Sequence, residues 1–169
     1  MKTYVLIVSR IFPKTHKRAG EETHFTTKIE LNENIWRGTN STLKLSLSEF
    51  GTPKLHTIRA NYVLWANRIK EIQEGKAIIS IRYWSGKPYN SKQVEICQLD
   101  TNSGIGVQIL FFDECKINKP LIADSSKTFI LPSLIAKNDG LSLEDFKDWF
   151  RKYDLSKPMA IIHFTSFRY

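Results

Sequence analysis

The chain is expected to be an α+β protein, a small mixed β-barrel with flanking helices, and three observations point there. Short apolar or alternating runs recur at 4–9, 77–83, 93–99, 106–112 and 159–164, with the lengths and β-branched content of strands. Two segments, 61–75 and 142–153, carry apolar residues at three- and four-residue steps and read as amphipathic helices. Tight turns rich in Gly, Pro, Asn and Ser separate the central strands, which favours antiparallel pairing. There is no βαβ period and no glycine-rich phosphate loop, so a doubly wound dinucleotide fold is excluded.

Residues 4–9 (YVLIVS) should form a buried first strand. Residues 12–50 are the least regular part, with Pro13, Gly20, Gly38 and the polar run THKRAGEETHFTTK. A loop-rich segment is expected there, with 25–31 extended. The alternating LKLSL at 43–47 reads as a strand or, with the SLSEFGTP that follows, as a helical turn ending at Gly51. Tyr62, Trp65, Ile69 and Ile72 share one helical face, and Gly75 stands where a helix C-cap falls. The strand AIISIRY leads into the turn Ser85-Gly86-Lys87-Pro88, then into QVEICQL, a second turn at 101–104, and GVQILFF. Residues 127–130 are extended or a helix entry. Leu143, Phe146, Trp149 and Phe150 line one side of the last helix, Ser142 with Asp145 makes a capping box, and MAIIHF is a final strand. With no repeat, low-complexity run or linker, the 169 residues are expected to form a single domain.

Composition is ordinary for a globular protein, 41% hydrophobic and 25% charged. No run approaches the roughly 18 apolar residues of a membrane helix. The apolar run near the N-terminus is too short for a secretory signal. Cys97 and Cys115 have no metal spacing, which suggests inert thiols and a reducing, cytoplasmic setting. His16, His24, His56 and His163 show no ligand spacing either, so neither metal nor cofactor is expected. A monomer is the expectation. The net charge of +8 attracts phosphate-bearing partners, or simply solvates the surface.

The densest chemistry is Lys54-Leu55-His56-Thr57-Ile58-Arg59. On a strand Thr57 and Arg59 share one face while Lys54, His56 and Ile58 share the other. Lys54 and Thr57 therefore converge only if Lys54 lies on the bend before the strand, and Gly51-Thr52-Pro53 supplies such a bend. An amine beside a hydroxyl is a base and a nucleophile, or an anion clamp, or a solvated bend next to an ordinary β-former.

This KxxTIR pattern, after a first strand ending in Ser9, resembles the ASCH domains, relatives of the PUA RNA-binding barrel. The turn Asn138-Asp139-Gly140 before SLEDFKDWF, and a last strand of the MAIIHF type, are similar to the way those domains finish. The resemblance covers 4–10 and roughly 53–164, with 12–50 as an unaligned insertion. It implies a PUA-like pseudo-barrel whose central cleft is lined by the KxxTIR strand, and RNA, a nucleoside or a nucleotide as partner. The family's best-defined enzymes are amidohydrolases that deacetylate N4-acetylcytidine with a lysine, a threonine and a glutamate. On this chain those roles would fall to Lys54, Thr57 and Asp139, the last being one methylene shorter than the family's glutamate.

Arg59 is the expected ligand contact, through bidentate binding of phosphate or carboxylate, unless a salt bridge to Asp139 or Glu95 occupies it. In Arg82-Tyr83-Trp84-Ser85-Gly86-Lys87-Pro88-Tyr89, cations interleave with aromatics around a turn, as in single-stranded nucleic-acid binders. Arg82, Trp84, Lys87 and Tyr89 are the candidates there. Tyr83 and Trp84 should face opposite ways, so one of them at most lines a cleft. His56 reads as a packed residue, and His16 and His24 as part of a basic, solvated loop or arm.

Overall fold

A computed structural model describes residues 1–36, 51–123 and 127–169. The chain is α+β. Its elements are β1 (Lys2–Ile7), α1 (Phe25–Trp36), β2 (His56–Ala60), α2 (Tyr62–Gln73), β3 (Ala77–Trp84), β4 (Gln93–Leu99), β5 (Gly106–Phe112), β6 (Pro120–Ala123), β7 (Lys127–Phe129), α3 (Pro132–Asn138), α4 (Leu143–Phe150) and β8 (Met159–His163). The element expected at 43–47 lies outside the described residues.

Two sheets result, β1-β3-β4 and β2-β8-β5-β6-β7. Among the described residues, no strand pairing joins the two sheets or closes either on itself. The tight turn after β3 does give an antiparallel pair, β3 with β4, whereas the turn at 101–104 carries the chain from one sheet to the other, so β4 and β5 do not pair. β1 pairs with β3 in parallel, which the long intervening crossover permits.

β8 is the pivot. All five of its residues are buried, and strand alternation divides them between two cores. Ala160 and Ile162 pack with Ile79, Ile81, Trp65, Ile69 and Ile72 beneath the three-stranded sheet. Met159 and Ile161 pack with Leu110, Ile135, Phe146 and Phe150 beneath α3 and α4.

Three elements differ from expectation. Residues 25–31 are helical rather than extended. The β-branched Thr26, Thr27 and Ile29 suggested a strand, but Phe25, Ile29 and Asn32 are buried at helical spacing and that packing decides. β6 and α3 were not anticipated. The signature of α3 is Pro132 in the first turn and Gly140, at φ 78°, just beyond the last. His16 does not lie in a solvated loop. It is buried, stacked on Phe12 with ring centroids 4.3 Å apart, and its Nε2 is 3.1 Å from the Asp145 carbonyl.

The capping box is half made. Ser142 accepts from the Asp145 amide at 3.1 Å, while the Asp145 carboxylate accepts from Arg18 at 2.8 Å instead of reaching back. Ser142→Ala is expected to cost about 1 kcal/mol in urea unfolding, because the first turn of α4 loses a satisfied amide.

Candidate functional site

The bend before β2 is fastened to two helices. The Lys54 amide donates to the Lys28 carbonyl at 3.1 Å, Asn32 Nδ2 donates to the Lys54 carbonyl at 3.1 Å, and the Leu55 amide donates to the Asn138 carbonyl at 2.8 Å. β2 begins two residues later, so Lys54 does lie on the bend and shares a cavity with Thr57. The Lys54 side chain is 1% exposed. Its Nζ donates to the Asp139 carbonyl at 2.5 Å and to Asp139 Oδ1 at 2.6 Å. The Phe25 ring covers it, with the centroid 4.1 Å away.

These contacts set the charges. Burial pulls the Lys54 ammonium down to about 8; Asp139 opposes the shift, and Arg59 and Lys28 add to it. Burial alone would raise the Asp139 carboxyl, but the Lys54 charge and the facing His56 hold it below its ordinary value. Gly140 permits this approach. Its φ is +78°, and a Cβ there would lie 3.3 Å from Lys28 Cδ and 3.4 Å from Lys54 Cβ. Gly140→Ala is expected to cost roughly 1–2 kcal/mol in urea unfolding through left-handed strain, and more where Lys54 must yield.

Lys54, Thr57, Arg59 and Asp139 line one cavity of about 450 Å³, whose mouth carries Trp84 and Tyr89. Thr57 is 4% exposed and pairs with Ile162 across the sheet. Lys54 donates to Asp139 rather than to the threonine hydroxyl. Arg59 donates to the Ile7 carbonyl at 2.5 Å and makes no ion pair among the described residues. Asp139 is taken by Lys54, and Glu95 by Arg82. Burial lowers the Arg59 guanidinium from its usual value and the Asp139 charge opposes that shift; at neutral pH it remains a cation on the cavity wall with no ion pair among the described residues. Trp84 and Tyr89 lie 5.4 Å apart with their rings tilted by 49°, and Tyr89 is 87% exposed.

Two candidates fall elsewhere. Arg82 does not line the cavity: its Nε donates to Ser80 Oγ at 2.7 Å and its guanidinium is 3.5 Å from Glu95. Alternation would give Arg82 the same face as Trp84, two residues on, but Ser80 and Glu95 hold its guanidinium instead. Lys87 is exposed on the turn and does not line the cavity either. Tyr83 packs against the first core, so of the two adjacent aromatics only Trp84 reaches the cavity.

Sequence reasoning missed Arg10 and Phe25. Arg10 lines the cavity, donates to the Ser85 carbonyl at 3.3 Å and lies 5.4 Å from the Tyr83 ring centroid. Its signal was its place just after the first apolar run, a strand that the structure leaves largely exposed apart from Leu6. Phe25 could be found only by recognising α1. Trp149, read as a core residue of the last helix, also lines the cavity.

No protein-family model, curated protein or solved structure matches this chain. No described group of three or more His, Cys, Asp or Glu residues could hold a metal ion. No helix among the described residues is long and apolar enough to cross a membrane.

Proposed function

We propose that the cavity binds a nucleotide, free or within single-stranded RNA, with its phosphate at Arg59 and its base against Trp84 and Tyr89. The observation that carries this reading is the Arg59 guanidinium, which lines the cavity and makes no ion pair among the described residues. A desolvated cation of this kind is satisfied by an anion that arrives with the ligand. At about 450 Å³ the cavity lies within the usual range for small-molecule sites. Aromatic faces at its mouth suit a base that has left its stack. The resemblance to ASCH domains supports the same reading, in which the two sheets are the halves of a PUA-like pseudo-barrel. Calorimetric titration with cytidine and with cytidine monophosphate tests it. The monophosphate should bind tighter by roughly tenfold or more, as one charge-assisted contact is worth. Equal affinities would remove the phosphate from Arg59.

A second reading, amide hydrolysis of an N4-acylated cytidine, is favoured by Lys54, a buried amine drawn down to about 8 beside Thr57. In it the Thr57 hydroxyl attacks the acyl carbonyl and neutral Lys54 takes its proton. The intermediate collapses with that proton leaving on the cytidine amine, and water then releases the acid from threonine. Asp139 would hold Lys54 in place. N4-acetylcytidine incubated with the wild type should yield cytidine and acetate, and Lys54→Ala should yield neither. An intact substrate with the wild type would rule out this reading for that amide.

A further inference from the structure

Behind Asp139, on the side away from the cavity, lies a second polar layer that neither reading uses. His56 is fully buried. Its Nε2 is 2.7 Å from the Tyr169 hydroxyl, and its Nδ1 is 3.6 Å from Asp139 Oδ1 with no nearer partner. The Tyr169 hydroxyl also accepts from Asn138 Nδ2 at 3.0 Å. Tyr169 is itself pinned, its amide donating to Gln108 Oε1 at 2.9 Å.

Donor and acceptor accounting settles the direction of these bonds. Asn138 occupies one lone pair of the Tyr169 oxygen, and burial pushes the phenol well above its usual range, so the hydroxyl keeps its proton. Among that hydroxyl's described contacts, His56 Nε2 is the acceptor open to its proton. Burial lowers the His56 imidazole, so the ring is neutral and carries one proton. With Nε2 accepting, the proton is on Nδ1, facing the Asp139 carboxylate. The opposite tautomer would set a lone pair against that carboxylate, two acceptors 3.6 Å apart in a dry interior. His163 packs its ring 5.5 Å from His56 and is held neutral by burial, so it adds no competing charge. Lys54 is the remaining charged neighbour, bonded to the same Asp139 oxygen.

We propose that Tyr169 and His56 are positioning residues of the cavity: Tyr169 fixes the Nδ1–H tautomer of His56, which turns Asp139 toward Lys54 and favours its anionic form. The chain Asn138, Tyr169, His56, Asp139 thus sets the rotamer and charge of the carboxylate that Lys54 meets at 2.6 Å. The proposal rests on the proposed function only in that the cavity is the site served.

The test is nitrogen NMR of the full chain with selectively labelled histidine. Wild-type His56 should read as a neutral ring with the proton on Nδ1 and Nε2 accepting a hydrogen bond. A proton on Nε2, or a rapidly averaged pair of tautomers, would overturn the proposal whatever the ligand proves to be. In Tyr169→Phe the Nε2 signal should move to that of a free acceptor, and binding or turnover should fall roughly tenfold or more, on the scale of a displaced site group. The acid limb of the pH profile should also move to higher pH, because Asp139 becomes easier to protonate. An unmoved acid limb in a folded variant would also overturn the proposal. His56→Asn keeps an N–H near the Nδ1 position and should retain more function than His56→Gln, whose amide reaches the Tyr169 side; the reverse order would contradict the assignment. If no nucleotide bound the wild type, the tautomer would still be readable, so the two failures are separable.

Discussion

Lys54→Met should lower the free energy of unfolding by about 3–5 kcal/mol, the cost of leaving a buried charge without its partner. The substitution keeps a long apolar stem against Phe25 but strips Asp139 of both hydrogen bonds from Nζ. The expected outcome in urea is a shift of the midpoint with little change of slope. Adding Asp139→Asn should recover most of the loss, since no unpaired charge then remains. A double variant no more stable than the single one would mean that Lys54 contributes through packing rather than through its charge. The same lysine governs a pH dependence. Its ammonium titrates at about 8 in the folded chain against an ordinary value of 10.5. Between those two values the unfolded chain binds more protons, so this group makes the protein more stable as pH rises from about 8 to 10.5, and the contribution is absent below. If the amidohydrolase reading holds, turnover should rise through the same value near 8, as the base form of Lys54 appears.

Arg59→Ala should weaken binding of cytidine monophosphate at least tenfold while leaving cytidine affinity nearly unchanged, because only the phosphate loses its partner. The salt dependence of RNA affinity should flatten by about one released counterion. Stability should fall modestly, since the guanidinium's described hydrogen bond is the one to the Ile7 carbonyl. Arg59→Lys should recover charge without the bidentate fork and land between the two. Equal losses for cytidine and its monophosphate would show that Arg59 supports the cavity wall rather than the ligand.

Periodicity carried much of the fold. Gln93–Leu99 alternates, Gly106–Phe112 is a short apolar run after a turn, and both are strands with those bounds. Tyr62–Gln73 was marked by its apolar stripe and by Gly75. α1 was hidden because its β-branched residues favour strands locally, and only burial of Phe25 and Ile29 against neighbours distant in sequence decides for helix. β6 has four residues, all apolar, which leaves no alternation to read. At the site, strand alternation and the Gly51-Thr52-Pro53 bend made it a condition that Lys54 lie on the bend to meet Thr57, while a cleft shared by the two came from the family resemblance. That Asp139 meets Lys54 came from the family resemblance alone, since 85 residues separate them. Arg82 was misplaced because spacing does not show that Ser80 and Glu95, on neighbouring strand positions, hold its guanidinium away from the cavity. The link from His56 to Tyr169 spans 113 residues, and no spacing rule reaches that far.

Amide chemical-shift mapping during titration with cytidine monophosphate tests the central claim most directly. The expected result is a saturable set of shifts at Ser9 and Arg10, at Thr57 and Arg59, at Trp84, Ser85, Gly86 and Tyr89, and at Asp139, the walls of the cavity. Absence of saturable shifts, or shifts gathered on another surface, would contradict nucleotide binding in this cavity.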